Sequence, residues 1–264
     1  MSKFEAIDFF EMLSFFVFGG SLCLFIQGIV QCFVVFQRRN TFIWNLSLLG
    51  LVAGISKSFA IVALQEFHLD SIIFFAIHTP SFFILIQATS WVCYKRIATL
   101  GGITKYDKYI KSVPFVILAI QIPCQITFVL EYLYQESVAF KNLFSICIVS
   151  LSIIITMCEV FMYKALLAKI NEMLEYRKGL RVLLTNEIRL GLGALISLDC
   201  IIIYTRLAFP SSRIDSSIRS FSYILRIVFV IKFFGDLLAE ITGKNNLRSS
   251  KSEIFNLGSF PNGR

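Results

Sequence analysis

The sequence predicts an all-α membrane protein, a bundle of seven transmembrane helices with its N-terminus outside and its C-terminus in the cytosol. Three observations support this fold class. Hydrophobic residues make up 56% of the chain and charged residues only 16%, against roughly 25% charged in a typical soluble domain. The apolar residues fall in runs of about 20 or more, the length that crosses a bilayer. Lysine and arginine collect in alternate loops.

Seven runs have this length, and we expect the spans at roughly 12–36, 42–65, 71–94, 112–134, 142–167, 187–209 and 218–240. Helices are expected because lipid offers no partner for an unpaired backbone group. A barrel strand alternates polar and apolar residues, and runs such as 144–157 do not. The predicted domains are a seven-helix transmembrane domain over 1–242 and a disordered cytosolic tail over 243–264, rich in Ser, Asn, Gly and Lys.

Loop charge sets the predicted orientation. The first, third and fifth loops and the tail hold most of the Lys and Arg residues, while the second loop has none. Because positive loops stay in the cytosol, the N-terminus is predicted outside. The formal charge of +8 is therefore explained by topology and not by nucleic-acid binding. The expected surroundings are a lipid bilayer, with the plasma membrane as the expected location.

Ionisable groups inside the predicted spans are candidates for a ligand pocket or a switch, because charge at membrane depth is costly. Counting about 1.5 Å per residue along each helix places them at two levels. The upper level pairs Asp199 with Arg226 or Lys57, and the lower level pairs Lys232 with Glu159 or Asp236. The alternative is a set of static pairs that hold the helices in register. His78 in span three is a further pocket candidate.

Small residues at a spacing of four predict close helix contacts. They occur as Gly50 and Gly54 in the second span, and as Gly193 and Ser197 in the sixth. We expect them to serve packing inside the bundle.

The fifth loop, over 164–189, interleaves apolar and charged residues as an amphipathic helix does. We expect it to extend spans five and six into the cytosol. One interpretation is a surface for a cytosolic signalling partner, with these candidate coupling residues: Arg96, Lys169, Arg177, Lys178 and Arg181. The other is an interfacial helix on anionic lipid.

The motifs of common catalytic sites are missing from the sequence. It has no Gly-rich phosphate loop, no metal-spaced His or Cys cluster and no G-x-S-x-G elbow. Its two histidines are ten residues apart and cannot bind a metal alone. We therefore expect no enzyme activity, no metal site and no cofactor.

The topology, the basic fifth loop and the basic tail together resemble the plan of G-protein-coupled receptors. The stretch 38–45, Arg-Arg-Asn-Thr-Phe-Ile-Trp-Asn, resembles the first cytosolic loop of fungal pheromone receptors. The motifs of the rhodopsin-like receptor class are absent, so the resemblance rests on topology. It implies a receptor that senses a small ligand and signals through its cytosolic loops to a G protein or a similar partner.

Two alternatives, besides a purely structural role, stay open. Length and topology also resemble microbial rhodopsins, and Lys232-Phe-Phe-Gly is similar to the Lys-x-x-Gly pattern around their retinal-linked lysine. That resemblance implies Lys232 as a Schiff-base site. The intramembrane charges also suit a transporter or channel, although no internal repeat is visible.

Overall fold

The computed structural model describes residues 3–36, 41–67, 70–99, 106–134, 137–175, 178–208 and 216–232, and every regular element in these ranges is a helix. The helices are α1 (Lys3–Phe36), α2 (Thr41–Glu66), α3 (Ser71–Thr99), α4 (Asp107–Ile110), α5 (Val113–Leu133), α6 (Val138–Met173) and α7 (Lys178–Ala208). An eighth helix, α8, is described over 216–232. The predicted all-α class is confirmed. The predicted tail over 243–264 lies outside the described residues.

Six helical segments of the described residues are long and apolar enough to cross a membrane, at Phe15–Phe33, Phe42–Leu64, Ile72–Thr99, Asp107–Leu133, Val138–Met173 and Lys178–Ala208. Their outer faces are strongly apolar, since Phe16 is 80% exposed and Leu190 is 76% exposed. Surface of this kind is covered by lipid in a membrane protein. The chain is therefore an integral, multi-pass membrane protein. The seventh predicted span, 218–240, is described only as far as 232.

The helices α6 and α7 extend beyond the predicted spans. α6 has 36 residues and α7 has 31, so at about 1.5 Å per residue they measure about 54 and 46 Å. Hydrocarbon is only about 30 Å thick. The predicted continuation of spans five and six into their connecting segment is confirmed as helix, with α6 ending at Met173 and α7 beginning at Lys178. We call this pair of helix ends, 164–175 and 178–189, the α6–α7 hairpin.

The helix α8 is enclosed by other helices on nearly all sides. Ser222 and Ile224 are both 0% exposed, although they lie about 160° apart around the helix axis. Five helices contact it: Val228 lies against Gly28 of α1, Ile224 against Gly54 of α2, Arg219 against Phe82 of α3, and Phe229 against Tyr163 of α6 and Gly191 of α7. Polar side chains on α8 are therefore held inside protein and not in lipid.

Two glycines of α2 permit the close approach of α8. A Cβ at Gly50 would come within 2.6 Å of Ile227 Cδ1, and a Cβ at Gly54 within 2.5 Å of Ile224 Cγ1. The predicted packing role of this glycine pair is confirmed. The corresponding prediction for the sixth span is wrong for the described part of the chain, where Gly193 is exposed and no described atom lies within 4 Å of its Cβ position. Spacing alone does not reveal which face a helix turns inward.

Candidate functional site

The central polar feature is an ion triad formed by Arg226 of α8, Glu159 of α6 and Asp199 of α7. Arg226 is 1% exposed and the two acids are each 5% exposed. Arg226 Nη2 donates to both carboxylate oxygens of Asp199 at 2.7 Å. Arg226 Nε donates to Glu159 Oε1, and Nη1 donates to Ser222 Oγ. The triad therefore joins three helices at one guanidinium, whose planar fork suits such bidentate contacts.

The two carboxylates are not equally satisfied. Asp199 accepts from Arg226 through both oxygens and also from Thr156 Oγ1 at 2.6 Å. Glu159 accepts only through Oε1, and its Oε2 is buried with no hydrogen-bond partner among the described residues. An unsatisfied buried oxygen carries a desolvation cost of roughly 1–3 kcal/mol, more if charged. Glu159 is thus the weakly held member of the triad.

A second polar cluster lies on the α2-facing side of α8. Lys57 is 1% exposed and donates to Ser220 Oγ at 2.7 Å, to Ser216 Oγ at 3.2 Å and to the Ser216 carbonyl at 2.9 Å. Its Nζ also lies 5.0 Å from the centre of the Phe82 ring, within the range of a cation–π contact. We call Lys57, Ser216 and Ser220 the lysine cluster.

His78 of α3 borders the lysine cluster. Its Nε2 is 3.4 Å from Ser216 Oγ. Aromatic rings surround the imidazole, with ring centres 4.9 Å away for Phe74, 5.0 Å for Phe128 and 6.1 Å for Phe82. The structure therefore brings Lys57 and His78 together, a proximity that the sequence did not suggest.

The predicted upper pair of Asp199 and Arg226 is confirmed. Lys57, the alternative partner of Asp199, instead bonds serines of α8. The predicted lower pair of Glu159 and Lys232 is wrong, because Glu159 bonds Arg226. A long arginine side chain covers more than one helical turn, about 5.4 Å, so it reaches an acid that depth counting assigned to another level.

Two candidates of the predicted lower level remain, and their pairing with each other stays a prediction. Lys232 is exposed at the end of the described part of α8. Asp236 lies outside the described residues. The retinal interpretation requires Lys232 in an enclosed pocket, and its exposed side chain does not meet that requirement.

The predicted coupling residues separate into buried and accessible ones. Arg96 is 6% exposed and Lys169 is 3% exposed, and Lys169 Nζ pairs with Asp107 Oδ1 of α4 at 3.1 Å. Both side chains are buried in this conformation, and their role in coupling to a partner stays a prediction. Lys178 is exposed and Arg181 is half-buried, so both remain accessible on the α6–α7 hairpin. Arg177 lies outside the described residues.

Several site residues were missed by sequence reasoning. Ser222 stands four residues before Arg226 and Thr156 three residues before Glu159, spacings that put each pair on one helix face. That signal was available. Tyr223, whose ring centre lies 5.0 Å from Arg226 Cζ, stands three residues before Arg226 and carries the same signal.

A further ion pair lies apart from the triad. Arg206 Nη2 of α7 is 3.5 Å from Glu131 Oε1 of α5 and 3.1 Å from Ser145 Oγ of α6. Within the described ranges no group of three His, Cys, Asp or Glu side chains is arranged to hold a metal ion. In comparisons with known proteins, no family model, no curated protein and no solved structure matches the chain.

Proposed function

We propose that the protein is a seven-span, receptor-like signalling protein of the plasma membrane, in which α8 is the seventh span and the α6–α7 hairpin contacts a cytosolic partner such as a G protein. The observation that carries this proposal is the ion triad. It ties the enclosed helix α8 to α6 and α7, the two helices that continue into the hairpin.

The distances suit a transmitted movement. Glu159 lies 14 residues before the end of α6 at Met173, or about 21 Å along the axis. Asp199 lies 21 residues after the start of α7 at Lys178, or about 32 Å. A rotation or shift of either helix at the triad is therefore carried by continuous helix to the hairpin. Packed elements with two arrangements are the usual means of such transmission.

The lysine cluster offers a place for a small ligand to act on the same helix. Lys57 and His78 both bond Ser216, which stands ten residues before Arg226 on α8, about 15 Å away along the axis. A ligand that exchanges hydrogen bonds with Lys57 changes the support of α8 directly. A shift in population follows only if that ligand prefers one arrangement of α8.

The first test measures hairpin movement. Distance labels at Phe42 of α2 and Lys178 of α7, both exposed, report the hairpin position by electron paramagnetic resonance. We expect Asp199→Asn to displace the distance distribution. The matched control is Glu131→Gln, which removes an ion pair with Arg206 of α7 but leaves the triad intact. Identical distributions in the wild type and Asp199→Asn would contradict the transmission.

The second test measures coupling. Nucleotide exchange by purified heterotrimeric G proteins is followed with the reconstituted protein. We expect Asp199→Asn to change the basal exchange rate, and the further substitutions Lys178→Glu and Arg181→Glu to abolish the change. If Asp199→Asn displaces the hairpin but leaves the nucleotide-exchange rate unchanged, the G protein is rejected as partner. The proposed movement of the hairpin would still stand.

The seventh span needs its own test. A protease-cleavable reporter on the C-terminus of the chain is expected to be cut only from the cytosolic side. A reporter cut from the outside would leave six spans and reject the receptor plan.

A transporter or channel is the second candidate. The observation that favours it is the run of buried polar side chains along α8: Ser217, Arg219, Ser220, Ser222 and Arg226. Such a helix can line an ion path once neighbouring helices separate. Ion flux into proteoliposomes that is lost in Asp199→Asn and retained in Glu131→Gln would favour this function over the receptor.

A further inference from the structure

The ion triad carries more negative charge than positive. Asp199 and Glu159 contribute two carboxylates, and Arg226 contributes one guanidinium. Two further buried cations lie along α8: Lys57 bonds Ser220, which is six residues before Arg226 and about 9 Å away along the axis, and Arg219 stands seven residues before Arg226, about 10 Å away. With both acids ionised, one uncompensated charge would be buried among apolar helices. Burying that charge costs far more free energy than burying a neutral group in the same place.

The hydrogen bonds indicate which acid keeps its charge. Asp199 uses both oxygens, accepting from Arg226 at 2.7 Å and from Thr156 at 2.6 Å. Bonds to the charged form of a carboxyl stabilise that form. Glu159 has one bonded oxygen, and Oε2 is buried without a partner in the described chain. The Oε2 atom is where a proton can sit without displacing any bond that the structure contains.

Within the helices that the structure describes, the surroundings of Glu159 supply no second cation. The titratable groups that face it from the described helices are Arg226 and Tyr223 of α8, Asp199 of α7, Cys93 of α3, and Cys158 and Tyr163 of α6. Arg226 alone is positive, and the thiols and phenols are neutral when protonated. A proton on Glu159 balances the triad with groups already present.

We propose that Glu159 is a proton-binding site, so that the triad is held as ionised Asp199, charged Arg226 and protonated, neutral Glu159. The proton comes from water and forms the O–H bond at Oε2, while Oε1 keeps its bond from Arg226 Nε. Loss of that proton leaves a net negative triad, which favours separation of α6 from α8 or the entry of a cation. The proposed proton site does not depend on coupling to a G protein. It remains even if the α6–α7 hairpin binds no cytosolic partner.

Infrared spectroscopy of the protein in liposomes tests the proposal. A protonated carboxyl gives a carbonyl band that a carboxylate lacks and that shifts in heavy water. We expect this band at neutral pH in the wild type and in Glu131→Gln. Labelling all glutamates with carbon-13 moves it, labelling the aspartates does not, and Glu159→Gln removes it. The absence of the band in the wild type, its movement on aspartate labelling or its survival in Glu159→Gln would each overturn the proposal.

Stability against pH gives an independent readout. At neutral pH the folded protein holds a proton on Glu159 that the unfolded chain has already released, because a glutamate in an unfolded chain has a pKa of about 4.3. The folded state therefore binds more protons, and stability falls as pH rises above that value. One such proton changes the unfolding constant by up to about tenfold per pH unit. Glu159→Gln imitates the protonated form, so we expect it to fold and to lose this dependence. A variant with the same pH profile as the wild type, or one destabilised equally at every pH, would show that Glu159 is a permanent anion.

Discussion

Lys57 of α2 donates to Ser220 of α8 at 2.7 Å, which ties the second helix to the enclosed eighth helix. We expect Lys57→Met to lower the free energy of unfolding by about 1–3 kcal/mol, because it leaves buried hydroxyl and carbonyl groups without their donor. Thermal melting in detergent measures the loss. The control is Lys108→Met at an exposed site, expected to stay within about 0.5 kcal/mol. Equal melting of both variants would contradict a stabilising role.

Arg226 is the common partner of two buried acids. We expect Arg226→Met to destabilise the protein by about 3–5 kcal/mol, since it removes the cation between the two acids and leaves Asp199 with Thr156 as its donor. The triple variant with Asp199→Asn and Glu159→Gln is expected to recover most of that loss, because no buried charge then remains. A triple variant as unstable as Arg226→Met would show that the loss of stability comes from the changed side-chain shape and not from uncompensated charge.

Gly54 and Gly193 are a matched pair of helical glycines with opposite surroundings. Gly54→Leu places atoms within van der Waals distance of Ile224, so we expect a loss of about 1–3 kcal/mol from overpacking. Gly193→Leu has open space and removes a glycine from a helix, which is worth up to about 1 kcal/mol in favour of folding. Melting curves of the two variants measure the difference. An equal loss of stability in both would contradict the close contact between α8 and α2 at Gly54.

Lys169 of α6 and Asp107 of α4 form the ion pair that holds the short helix against the hairpin, at 3.1 Å. A double-mutant cycle with Lys169→Met and Asp107→Asn is expected to give a coupling energy of about 0.5–3 kcal/mol. Asp107 is about a third exposed, so water screening favours the lower part of that range. Strictly additive variants would mean that the two charges do not stabilise this contact.

Lys232 provides a test of the retinal alternative. Because its side chain is exposed in the described bundle, we expect no visible absorption band when all-trans retinal is added during purification. Spectra of the wild type and Lys232→Ala are compared. A band in the wild type that disappears in Lys232→Ala would establish a Schiff base and displace the receptor proposal.

Sequence reasoning located the spans well and their ends poorly. The predicted fifth span, 142–167, lies inside α6 (Val138–Met173), because a helix continues past hydrocarbon wherever its backbone bonds remain favourable. The short helix α4 was not predicted. With only four residues, it is stabilised by the Lys169 contact and not by a periodic pattern of its own.

The candidate site was only partly predictable. Asp199 and Arg226 were matched by depth, and Glu159 was matched to the wrong cation. Depth along a helix can be counted from the sequence, but rotation about its axis cannot. That rotation sets Arg226 between α6 and α7 and Lys57 against Ser220 on another side of α8.

The sequence by itself determined an all-α, multi-pass membrane protein, because long apolar runs in lipid must satisfy their backbone locally. It also located four charged residues that are buried in the bundle, Lys57, Glu159, Asp199 and Arg226, although Lys232 from the same set is exposed. Only the tertiary structure decided which acid meets Arg226 and which acid has an unsatisfied oxygen. Those outcomes depend on how closely the helices approach at Gly50 and Gly54 and on how each is turned. Side chains distant in sequence set both of these jointly.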